Sequence, residues 1–201
     1  MLQPDACAWG HEFMAMKFNP VSMDELINAC MPAQAQPGVY YRQGRDIVLV
    51  SINMAEQHDG MKFVYVCFSG ERVEYRKDIS NALMIPLDEL TPRFHIEGSA
   101  EHVEFKTDST IGYYQEPALV RVDDQLHVLL KDLPEAPQGD PRFRRYRLML
   151  NLATRQVVRL SPGTRLLVFD HVVMSGHLQR HGREASEQMA VLKLRPDDRL
   201  C

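Results

Sequence analysis

The chain has 201 residues, 45% of them apolar and 25% charged, with a net charge of −4. That length and composition can bury a sizeable core without disulfide or metal staples. No basic block is present to neutralise a phosphate backbone, which argues against nucleic acid as a partner, and no run approaches the roughly 20 apolar residues that span a bilayer.

Asp5, His11 and Glu12 interrupt the stretch where a secretory signal would carry its apolar segment, so a cytoplasmic chain with no membrane partner is expected. Cys7, Cys30, Cys67 and Cys201 are far apart and form no CxxC pair. In that compartment they read as reduced thiols, mostly buried as small hydrophobes.

Taken in chain order, the first element is a helix. Ser22 and Glu25 have capping-box spacing, and Val21 and Leu26 are placed to staple it. The spacing predicts a helix from about Met23 to Cys30, within an N-terminal cap at about 22–31 that stops before Pro32. Residues 31–38 form a connector. A single-turn helix is expected at Pro86–Leu90, bounded by Pro92.

From Val39 to about Leu194, period-2 alternation broken by turn residues predicts about eight to ten short strands. Val48, Val50, Ile52 and Met54 share a face, and Asp59-Gly60 returns the chain into 61–69, where both faces are apolar. Gly70-Glu71 then turns into 73–76. Gly98-Ser99 reads as a two-residue hairpin turn that sets His95 opposite His102 and Arg93 opposite Glu104.

In Ala118–Leu130, a three-residue loop at Asp123-Asp124-Gln125 pairs Val122 with Leu126 and keeps one face dry, so that register is preferred over a two-residue turn. Strands follow at 146–152 and 156–160, with a turn near Ala153–Arg155. Ser161-Pro162-Gly163 is a further turn signal, before a nearly continuous apolar strand over 165–174 and a last strand over 188–194.

So many antiparallel strands with local connections predict a single β-rich domain over 1–201. The expected architecture is a meander barrel or half-barrel of calycin type with the helix over one end, or else a two-sheet sandwich. The Gly-x-Trp signature of lipocalins is absent, because Trp9 directly precedes Gly10.

Histidine is the main polar resource. His171, His177 and His181, flanked by Asp170 and Glu184, supply the ligand types that zinc or iron takes. The spacing favours a solvated, Gly-bounded loop over a metal site, so no cofactor is expected, with zinc or iron as the exception to test. His95 and His102 are the candidate acid/base pair, with the wet face of a sheet as the simpler reading. If the fold is a barrel, His95, His102 and Arg121 face its lumen as polar contacts of a ligand pocket.

Tyr113 and Tyr114 are candidate gate residues at a pocket mouth. The basic run Arg142, Arg144, Arg145 and Arg147 reads as a solvated edge strand. No phosphate loop and no Gly-x-Ser-x-Gly elbow is present.

These features rank three functions. First is binding of a small, largely apolar organic molecule in a β-barrel cavity. Second is a lyase, isomerase or cyclase on the same scaffold, using histidine acid/base chemistry or a histidine-bound metal. Third is a protein-interaction module without a pocket. The partner is thus a small-molecule ligand, with a homodimer as an admitted assembly.

Overall fold

The computed structural model describes residues 27–55, 63–70, 72–105, 117–130, 147–180 and 183–193. Within them the chain forms three mainly antiparallel sheets, and none closes into a barrel. Alternation explains each sheet, because successive side chains in a strand point to opposite faces.

The first sheet is a meander of β1 (Tyr40–Gln43), β2 (Asp46–Ile52), β3 (Phe63–Ser69) and β4 (Arg72–Arg76), with β5 (Ile85–Pro86) on the far side of β1. Gln43 pairs with Asp46 across Gly44-Arg45, where Gly44 takes the positive φ of 61° that the first position of such a turn favours. Both faces are dry. Ile47, Leu49, Val64, Val66 and Phe68 face a first core cluster, whereas Val48, Val50 and Cys67 face another with Tyr41 and Met84.

β6 (Thr91–Ile96) and β7 (Ala100–Glu104) follow, then β8 (Ala118–Val122), β9 (Gln125–Leu129), β10 (Arg147–Asn151), β11 (Gln156–Leu160) and β12 (Arg165–Phe169). The second sheet runs β11-β10-β9-β8-β12-β7. β13 (His171–Arg180) and β14 (Arg183–Lys193) pair as a long hairpin, and the third sheet runs β14-β13-β6.

The predicted loop between β8 and β9 is corrected. Val122 pairs with Gln125, so the turn is the two residues Asp123 and Asp124, both with positive φ. Apolar rows do fall on opposite faces, as that register requires, but both faces are buried. Leu119, Val128 and Leu130 join the first cluster, while Ala118, Val120, Val122 and Leu129 join a second cluster behind the sheet. With both faces buried, the need for one dry face does not select the turn.

The first cluster draws on all three sheets, from Tyr40 and Phe68 through Leu119 and Leu150 to Met174 and Leu192. Three junctions surround it. Asn53 bridges Val157, Gly70 bridges Ala190, and the second and third sheets share a bent two-stranded ribbon. The first two are single bridges, so the shell is joined but no ladder closes on itself.

Other predicted elements differ in detail. Ile27 is helical and Asn28 lies in a turn, while Cys30 bridges Met84 instead of extending a helix. The remainder of the predicted cap lies outside the described residues. Of the predicted helix at Pro86–Leu90, Pro86 ends β5 and Leu87–Leu90 is a turn, closed by the Leu90 N–H donating to Leu87 O at 2.9 Å. Arg147, the one described member of the basic run, is buried in an inner strand and not at a solvated edge. No helix among the described residues is long and apolar enough to cross a membrane.

Candidate functional site

The predicted hairpin at Gly98-Ser99 does not form. Residues 91–104 run as one bent strand antiparallel to 165–177, with Ile96 opposite Val172 and Ala100 opposite Phe169. Glu97 and Gly98 both donate their N–H groups to His171 O, at 3.0 and 3.3 Å, so two residues oppose one. This is a bulge, which bends a strand and re-aims its side chains. His95 and His102 thus lie on the same strand, on either side of the bulge, and never face each other.

The bulge gathers a different polar group. His171 Nδ1 lies 3.2 Å from Glu97 Oε2, and His95 Nε2 lies 3.9 Å from Glu97 Oε1. Ser99 Oγ donates to Asp170 Oδ2 at 2.7 Å. The Asp170 carboxylate fills the space where a Cβ at residue 98 would stand, so a side chain there would have to displace it. One histidine from each predicted group is therefore brought to one carboxylate. Such a carboxylate can orient an imidazole for proton transfer, but it equally ties the two bent strands together. The His95 side chain is 78% exposed.

His171 and His177 occupy β13 six residues apart, about 20 Å in an extended strand. A single ion about 2.1 Å from each imidazole cannot hold both. His177 pairs across to Thr91 and Ser186 in the ladder, so it sits in a strand and not in a loop. His181, Tyr113 and Tyr114 lie outside the described residues. Among the described residues, no group of three or more His, Cys, Asp or Glu side chains is placed to hold a metal ion.

Arg121 and His102 are brought to one face. Leu126 pairs with Arg121, Arg121 with Leu167, and Leu167 with His102, which makes one cross-strand row on the side of the shared interior. Arg121 and His102 thus stand two strands apart, about 10 Å. In the next row Val128, Leu119 and Phe169 are buried, whereas Arg121 and His102 are exposed and Leu126 and Leu167 half-buried. The interior-facing side therefore passes from dry to wet within two residues.

The turn after β10 borders this end. Leu152 donates its N–H to Leu126 O at 3.0 Å and packs half-buried on the same cluster. Three residues on, Arg155 holds a left-handed φ of 58°. Its Nη1 donates to Gly38 O at 2.5 Å, and its guanidinium sits 5.1 Å from the Tyr40 ring centre. Ser51 Oγ donates to Arg155 O at 2.7 Å, which hydrogen-bonds the seam between the first two sheets, and within the first sheet Asn53 Nδ2 donates to Tyr75 Oη at 3.1 Å.

Sequence reasoning missed Tyr40, Arg155 and the leucine row. Nothing local in the sequence named the left-handed conformation of Arg155 or its partners. His127 is only 5% exposed, and burial holds its imidazole below the ordinary histidine pKa. Compared with protein-family models, with curated proteins and with solved structures, the chain matches none.

Proposed function

We propose that this chain binds a small, largely apolar organic molecule at the end of the shared interior bordered by Leu126, Leu152 and Leu167. The observation that carries the reading is the row Leu126–Arg121–Leu167–His102. Its positions point toward the common core yet stay wet. Apolar side chains left half-exposed beside placed polar groups are what ligand sites offer. The ligand's apolar body would cover the leucines, and an acidic group would meet Arg121 and His102.

Titration calorimetry with decanoate tests this. Binding that weakens about 5-fold in Arg121→Ala, the worth of about 1 kcal/mol for a partly exposed ion pair, supports the reading. The same weakening in Arg45→Ala, an exposed arginine in the β1–β2 turn, would reduce it to general surface charge. No heat with the unmodified chain would end it.

A further inference from the structure

Among the described residues, the buried Tyr40 hydroxyl stands without an explanation. Tyr40 is 1% exposed, packs in the first cluster with its ring 6.2 Å from that of Phe68, and its hydroxyl has no hydrogen-bond partner among the described residues. Burial pushes its pKa up to about 12, partly offset by the nearby Arg155 cation, so the phenol stays a protonated donor near neutral pH. A buried hydroxyl left unpaired is destabilising, and an orphaned group of this kind calls for an explanation, such as a functional role or an unseen polar partner.

Its location gives that orphaned hydroxyl a meaning. Tyr40 lies under Arg155, which belongs to the same turn as Leu152, and Leu152 is hydrogen-bonded to Leu126 in the row described above. We propose that the shared interior accepts a neutral oxygen acceptor at the Tyr40 hydroxyl, so that the bound molecule carries a carbonyl, ether or hydroxyl oxygen on its buried, otherwise apolar part. This rests on the binding reading above and assigns the chemistry of the ligand's inner end. A second anionic group there is disfavoured, because the surrounding cluster is apolar and a buried charge is desolvated at high cost.

The test compares 2-heptanone with n-heptane, molecules of similar size that differ in one oxygen, by the rise in Tm each gives at equal free concentration. A ligand that binds only the folded chain raises Tm, and at equal free concentration the tighter ligand raises it more, as the logarithm of its affinity. The expected result is a larger rise with the ketone, an advantage of about tenfold in apparent affinity. Tyr40→Phe should abolish that advantage while leaving the heptane shift unchanged. Should that variant fail to fold, the ketone-over-alkane difference on the unmodified chain still decides.

Equal shifts from ketone and alkane would overturn the inference and leave the binding reading standing. If Tyr40→Phe keeps the ketone's advantage over heptane, the oxygen is met elsewhere, which overturns it too. No shift from ketone, alkane or decanoate would remove both the reading and the inference.

Discussion

Replacing Gly98 by alanine should loosen the corner between the second and third sheets. A Cβ at that position meets the Asp170 carboxylate in direct overlap and His171 N at 3.0 Å, so the carboxylate must leave. Its departure breaks the 2.7 Å bond from Ser99 Oγ, a hydrogen bond to a charged group worth about 1.5–3 kcal/mol. Steric displacement of the backbone adds to this, while alanine recovers roughly 0.5–1 kcal/mol of chain entropy that glycine gives up in a strand. The net loss is about 2 kcal/mol, or a fall in Tm of about 4–8 °C for a chain of this size. Thermal unfolding followed by circular dichroism reads it directly. The decisive control is the same substitution in an Asp170→Ala background, where the overlap is gone and most of the loss should vanish. A fall below about 1 °C in the single variant, or an undiminished fall in the double one, would refute the steric account.

Three further outcomes follow from the same geometry. Asp124→Gly, at a position with φ of 62°, should raise stability by about 0.5–1 kcal/mol because glycine takes that conformation without strain; an unchanged or lowered urea midpoint would contradict the two-residue turn. Arg155→Ala should destabilise by about 1–3 kcal/mol through loss of the Gly38 bond and the Tyr40 stack, and Arg155→Gly by about 1 kcal/mol less, since it sheds the left-handed strain. Equal melting temperatures for the two would show that the φ of 58° carries no strain. The folded pKa of His127 is lowered by burial, so as the pH falls through the ordinary histidine value the unfolded chain takes a proton first. The stability contribution is therefore present above about pH 6.5 and declines below it, by at most about 1.4 kcal/mol per pH unit. His127→Gln should flatten the difference between urea midpoints at pH 7.5 and 5.5, and an unaltered difference would mean that another group sets it.

Strand positions were largely legible because alternation is a local property. β2, β3, β4, β10, β11 and β12 lie close to where the periodicity predicts them, and Gly70 and Gly163 take the positive φ expected of turn glycines. Register was not legible where the partner is remote. Gly98 looks locally like a hairpin glycine, and only pairing with residues some 70 positions away makes it a bulge. Gly176 misled in the same way. It lies inside β13, where a side chain would meet Leu90 Cδ1 at 2.8 Å, so it serves close packing and does not bound a loop. The candidate site was legible only as far as Arg121 and His102 sharing the interior-facing side. Glu97 and Tyr40 acquire their neighbours through tertiary structure alone.

The bent strand at 91–104 also has a history in time. Glu104 waits for Arg165 and Thr91 for His177, so about 60–90 further residues must be made first, roughly 3–18 s at ordinary synthesis rates. Throughout that interval both of its edges lack the partner that later covers one of them, and an uncovered strand recruits other chains. Pro92 removes a donor, Arg93, Glu97, Glu101 and Glu104 add charge, and the bulge at Glu97-Gly98 spoils a flat edge. These are the features that keep nascent strands from pairing wrongly. The same bulge that turns the corner in the finished molecule thus also breaks the flat edge of the unfinished one.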